Sequence, residues 1–129
     1  GVLAMKPKFL VLDEPTAGLD PLGRDMILNQ IKQLFEREDM TVILVSHSME
    51  DIAKLCNRVI VIDNSQIFMD DKPEVVFSKE DELKKIGLSI PQSTQVVRRL
   101  KEKGINVETD CLNVEQAYES IKKAMEKKL

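Results

Sequence analysis

Three short runs of apolar residues, each closed by polar or turn-forming ones, organise the first half of the chain: Phe9 to Leu12, Thr41 to Val45 and Val59 to Ile62. An unbroken apolar run of this length between turn signals predicts a strand buried on both faces. Between the first two runs, Leu22, Met26, Ile27, Ile31, Leu34 and Phe35 recur at helical spacing. This stripe predicts a helix from Asp20-Pro21 to about Arg37, because Asp caps free amides and Pro fits the first helical position. Glu38-Asp39-Met40 turns the chain into the second strand. Ser48, with Asp51 three residues on, predicts a capping box and a second helix with Ile52, Ala53 and Leu55 inward. Asp63-Asn64-Ser65-Gln66 is turn chemistry, after which Ile67-Phe68-Met69 returns as an antiparallel strand. Strand, helix, strand, helix, strand predicts an α/β fold with a mainly parallel sheet, right-handed crossovers and one antiparallel hairpin.

After Pro73 the period becomes helical throughout. Pro73 to Phe77 forms a short turn of helix; Ser78 with Asp81 starts the next, which ends at Gly87. A third runs from Pro91 to Lys103 with Val96, Val97 and Leu100 inward, and Gly104-Ile105 forms its left-handed cap. Asn113 with Gln116 caps a last helix whose inner face is Val114, Ala117, Tyr118, Ile121 and Met125. Charge changes at the same place: residues 1–78 carry 8 basic and 13 acidic side chains, residues 79–129 carry 11 and 9. Two units are therefore expected, 1–78 as the α/β part and 79–129 as a small helical extension.

Composition narrows the function classes. At 129 residues, 43% hydrophobic and 32% charged, the chain suits one soluble core and is too apolar for disorder. A net charge of −3 offers no general attraction to nucleic acid. No apolar run approaches the roughly 20 residues of a membrane-spanning helix. Gly1 to Met5 lacks the basic flank of a secretory signal and reads as the end of an element begun upstream. Cys56 and Cys111 lie far apart and in no metal-ligand spacing, which predicts two reduced structural thiols.

The first strand ends in Asp13-Glu14 and the second in Ser46-His47. An acidic pair after a strand commonly caps a helix or meets solvent, and a single His there is commonly structural. Together they mean more, because parallel strands bring Asp13, Glu14 and His47 to one carboxyl edge, where open α/β sheets bind their ligands. Adjacent carboxylates at such a rim need a cation or substrate nearby, and phosphoryl transfer uses this combination to hold Mg²⁺ and position a water.

The run Phe9-Leu10-Val11-Leu12-Asp13-Glu14-Pro15-Thr16-Ala17-Gly18-Leu19-Asp20 resembles the Walker B and D-loop segment of ATP-binding-cassette (ABC) ATPases. Val42 to His47 resembles their switch, or H-loop, segment, and Val59 to Ile67 the hairpin that follows. The resemblance implies that Asp13 helps to hold Mg²⁺, that Glu14 is the general base and that His47 contacts the γ-phosphate of ATP. It implies too that Asp20 reaches a second ATPase subunit, in a homo- or heterodimer. Ser65 stands where that hairpin usually has Gly. The phosphate cradle, G-x-x-x-x-G-K-S/T, is missing, and so is the family's signature motif. Gly18 and Gly23 have the cradle's spacing, but Arg24-Asp25 follows them.

Pro73 to Phe77, Ile86 to Pro91 and Val96 to Gly104 resemble the C-terminal extension of energy-coupling factor ATPases, the cobalt-importer type included. That implies an ATP-hydrolysing subunit, peripheral on the cytoplasmic face of the cell membrane, working with transmembrane importer subunits on metal ions or vitamins. In that family the extension helps the two ATPase subunits hold together. With no cradle, the 129-residue chain alone is expected to be inactive. Two rival readings are an interaction module with a vestigial ATPase half and a non-transport ATPase of the same superfamily.

Overall fold

The computed structural model describes residues 8–37 and 39–127. The stretch Gly1 to Met5, the connector at Lys6-Pro7 and Glu38 of the turn lie outside the described residues. The α/β part runs β1 (Phe9–Asp13), α1 (Pro21–Arg37), β2 (Thr41–Val45), α2 (Met49–Leu55), β3 (Val59–Asp63) and β4 (Gln66–Asp71). Four helices follow: α3 (Pro73–Ser78), α4 (Glu80–Lys85), α5 (Gln92–Glu102) and α6 (Val114–Glu126).

β1 and β2 pair in parallel, with Phe9 opposite Thr41 and Asp13 opposite Val45. β3 pairs antiparallel with β4 across a turn in which Asn64 and Ser65 both take positive φ, 49° and 62°. A two-residue turn of that hand suits the twist of a hairpin. The single sheet expected from the strand pattern is not what forms. Among the described residues, β1–β2 and β3–β4 are separate two-stranded sheets. β3 takes its partner from its own hairpin, where loop closure costs little, and its inward residues Val59 and Val61 pack with Val76, Phe77 and Leu83.

β1 and β2 are not buried on both faces either. α1 packs against β2 on one side, burying Leu10, Leu28, Ile31 and Met40. The alternate positions Phe9, Val11, Ile43 and Val45 stay exposed, because the period of two sends them to the uncovered face. On α1 the inward residues are Leu28 and Ile31, whereas Leu22 and Met26 face solvent.

The helical half is built on two apolar clusters. The larger gathers Val59, Val61, Met69, Val76, Phe77, Leu83 and Ile90, so it takes residues from both sides of Ser78. The smaller gathers Val97, Val107, Cys111, Ala117 and Ala124, with Leu100, Ile105 and Ile121 at its margin. The expected helix starts need one revision. The Ser78 hydroxyl donates to the Val75 carbonyl at 2.6 Å, closing α3, and α4 begins only after Lys79. Gly87 ends α4 at φ 82°, with the Leu88 amide donating to the Leu83 carbonyl at 2.9 Å. Gly104 does the same for α5, and Ile105 donates to Leu100 at 3.0 Å.

The inward faces of α5 and α6 also differ from the expected stripes. Thr94 and Val97 are buried on α5 while Val96 is half-exposed. On α6 the buried residues are Ala117, Ser120 and Ala124, and Val114, Tyr118 and Met125 point outward. Small residues let α6 lie close to its neighbour, and that contact, not apolar size, decides which side turns in. Asn113 caps α6 by accepting the Gln116 amide at 2.8 Å, while the Gln116 side chain takes the Leu112 amide at 2.8 Å. Cys56 and Cys111 are free thiols, and burial, ahead of nearby carboxylates, pushes both above the usual thiol range.

Arg58 clasps Asp70 through two hydrogen bonds of 2.8 and 2.7 Å, joining the start of β3 to β4. The bonds from Arg58 hold the Asp70 carboxyl below its ordinary value. A lowered folded-state pKa adds stability above the unfolded value, which is lost as pH falls through the folded one. Asp70→Asn should therefore flatten the acid limb of the stability curve below about pH 4, read by thermal melts between pH 7 and 2. As the pair is exposed, the effect should shrink in added salt.

Candidate functional site

The parallel register that sets Asp13 opposite Val45 brings the ends of β1 and β2 to one edge. Glu14, the next residue, donates its amide to the Val45 carbonyl at 2.8 Å. It does so with φ at 48°, in the left-handed region that residues other than glycine rarely enter. Strain held at the end of a strand is a pointer to function. Its consequence is visible here: Glu14 Oε1 lies 2.5 Å from His47 Nδ1. Two of the residues singled out in the sequence are thus brought into direct contact across 33 positions of chain.

The pair is open to solvent on the histidine side. The His47 side chain is 92% exposed and that of Glu14 34%. A carboxylate held against an imidazole can accept a proton from an aligned water and stabilise the charge that results. Asp13 stands exposed at the end of β1. Among the described residues no three His, Cys, Asp or Glu side chains gather to hold a metal. One carboxylate fits Mg²⁺, which keeps several waters and draws further ligands from substrate phosphates; it does not fit a metal caged by protein alone. Asp13 offers one such carboxylate at this edge.

Asp20 has a local role that the sequence foretold. Its Oδ1 accepts the Gly23 amide at 2.8 Å and caps α1. A Cβ at position 23 would sit 2.9 Å from that same oxygen, so glycine there leaves room for the cap. Gly18 lies at φ 76°, where a side chain is strained. Both glycines are accounted for by the turn and the helix start, and neither forms a phosphate cradle. Asp20→Ala should cost about 1 kcal/mol in urea unfolding, while Asp20→Ser, which keeps the cap, should cost a few tenths.

One feature near the site escaped the sequence reading. Asp51 is buried, at 2% exposure, and binds side chains from two other segments. Its Oδ1 accepts Nε of Arg24 at 2.8 Å and also contacts Arg24 Nη2. Its Oδ2 accepts the Thr16 hydroxyl at 2.8 Å. Half of the expected capping box is present, since the Asp51 amide donates to Ser48 Oγ at 3.2 Å. The reciprocal half is absent because the Ser48 amide turns to Ser46 Oγ at 3.0 Å, leaving the Asp51 carboxylate for Arg24. The available signal was an Arg in the first turn of α1 and an Asp in the first turn of α2. A cleft of about 300 Å³ between α1 and α2 is lined by Arg24, Asp25, Asp51 and Lys54, and not by Glu14 or His47.

No family model matches the chain. Individual relatives do. It is 50% identical over 128 residues to the energy-coupling factor transporter ATP-binding protein EcfA2 of Clostridium tetani, covering 99% of this chain and 44% of that protein. The protein of the same name from Clostridium perfringens is 50% identical over 121 residues, 94% of this chain and 42% of that one. This chain matches the C-terminal part of energy-coupling factor ATP-binding proteins. It spans less than half the length of the curated relatives it matches. The solved structure of cbiO1 from Clostridium perfringens, described as part of the ABC transporter complex cbiONQ, is 31% identical with a TM-score of 0.56. That likeness covers 80% of this chain and 37% of the other. The chain thus shares part of the fold of that ABC-transporter component. No helix among the described residues is long and apolar enough to cross a membrane.

Proposed function

We propose that this chain is the C-terminal part of an ATP-hydrolysing subunit of an energy-coupling factor importer. The observation that carries the reading is the contact of Glu14 with His47 at the ends of two paired parallel strands. In it Glu14 takes the proton of the attacking water, and His47 orients Glu14 and meets the terminal phosphate of ATP. Asp13 helps to hold Mg²⁺, and Asp20 faces the second ATPase subunit. ATP and Mg²⁺ are the cofactors. The site lacks residues to cradle the α- and β-phosphates, so the chain alone should neither bind ATP tightly nor hydrolyse it. The partners are a second ATPase subunit and transmembrane subunits that choose the cargo, a metal ion such as cobalt or a vitamin. The subunit then sits on the cytoplasmic face of the cell membrane.

The test is ATP turnover by a longer form that includes a phosphate cradle, purified with its membrane subunits. Mg²⁺-dependent turnover is expected. No turnover in that complex, or turnover by the 129-residue chain alone, overturns the reading.

Residues 79–129 fit a role in holding two ATPase subunits together, supported by the outward face of Val114, Tyr118 and Met125 on α6. Removing the extension is a poor probe, because Leu83 and Ile90 share a cluster with Val76 and Phe77. Charging the face with Val114→Lys and Tyr118→Lys is the better one. Sedimentation of the longer protein should shift from dimer to monomer while its melting temperature holds.

A further inference from the structure

The Arg24–Asp51 pair lies between the two segments that carry Glu14 and His47. Asp51 Oδ2 holds Thr16, two residues beyond Glu14. Arg24 Nη2 also reaches Ser48 Oγ at 2.5 Å, and Ser48 is the residue after His47. A single ion pair therefore grips the chain just past the carboxylate and just past the imidazole. The grip is buried on the Asp51 side, at 3% side-chain exposure, against 36% for Arg24. A buried carboxylate of this kind is held in place by its donors, since losing one leaves a charge without compensation. Arginine suits the task because its planar fork addresses two acceptors at once, which a lysine cannot do.

We propose that Arg24 and Asp51 are positioning residues that lock Glu14 against His47. They act through Thr16 and Ser48 and touch neither nucleotide nor metal. The inference rests on the hydrolytic reading of Glu14 and His47, but its structural half can be measured without it. Misplacing a catalytic group by about 1 Å can cost about a hundredfold in rate, so a loosened grip should appear in kcat before it appears in nucleotide binding.

The test uses Arg24→Lys and Thr16→Val, which remove the fork and one arm while keeping charge and volume. His47 is the only histidine in the chain, so its ring gives one resolved NMR signal. In the 129-residue chain, both variants should move that signal toward the position it takes in Glu14→Gln, with melting temperature within a few degrees of the parent. In the longer protein, Arg24→Lys should lower kcat about ten- to a hundredfold with KM for ATP changed less than twofold. Combined with Glu14→Gln, it should add little. An unmoved histidine signal in both variants, a KM effect equal to the kcat effect, or additive losses in the double variant each overturn the proposal. If the longer protein shows no Glu14-dependent turnover, the hydrolytic reading fails, and the histidine signal alone still decides whether the grip positions His47.

Discussion

Glu14→Gln in the longer protein is expected to lower ATP turnover by about 10²- to 10⁴-fold, the span typical of removing a general base. The substitution keeps the shape of the side chain and its reach to His47, and removes only the ability to take a proton. KM for ATP should therefore stay within severalfold, which marks an interaction made in the transition state and not in the ground state. His47→Ala should fall in the same direction, and the double variant should be no worse than the more damaged single one, because the two act as a unit at 2.5 Å. The backbone supplies an internal control. Glu14 sits at φ 48°, where a left-handed residue with a side chain costs about 1–2 kcal/mol. Glu14→Gly relieves that strain and loses about 0.5–1 kcal/mol to chain entropy. Stability should hold or rise slightly while turnover is abolished. Steady-state kinetics beside urea melts give both readings. Turnover of Glu14→Gln within tenfold of the parent would show that another group is the base.

The largest effect on stability is expected at Phe77. It is 2% exposed and belongs to the larger cluster with Val59, Val61, Val76, Leu83 and Ile90. Phe77→Ala should cost about 3–5 kcal/mol, from lost apolar burial and from the cavity left behind. Domains of this size hold about 5–15 kcal/mol in all, so the variant stands at the edge of folding. A fall in the urea midpoint with an unchanged slope is the expected signature. Val114→Ala, an apolar truncation at a 72% exposed position, should stay within about 0.5 kcal/mol. Comparable losses at both positions would mean that the α6 face is covered in solution.

The strand endings were the most legible part of the sequence. Apolar runs that stop at Asp13-Glu14 and at His47 need only a parallel register to meet, and that register is what forms. Helix ends were legible wherever a side chain had a local partner, as at Asp20, Ser48 and Asn113, or a glycine could take positive φ, as at Gly104. The facing of helices was harder to read. Ala117, Ser120 and Ala124 turn inward because close helix contact favours small residues, which an apolar count ranks below Tyr118 and Met125. Sheet membership of β3 was misread, since local hairpin closure competes with long-range parallel pairing and the alternation of elements cannot weigh the two. The Arg24–Asp51 pair was hidden because Asp51 also fits a helix cap, and the residue pattern does not say which use of its carboxylate prevails.

The two clusters lie around β3, β4 and the helices after them, while β1 and β2 rest on a thin layer of Leu10, Leu28, Ile31 and Met40. Amide hydrogen exchange should therefore be uneven along the chain. Val61, Met69 and Val97 belong to the slowest group, and the amides of β1 and β2, Glu14 among them, should open first and on their own. The residues proposed for chemistry then ride on the least protected unit among the described residues. Whatever binds across the ends of β1 and β2 would draw part of its affinity down in ordering them, and would be felt as slowed exchange in that unit alone.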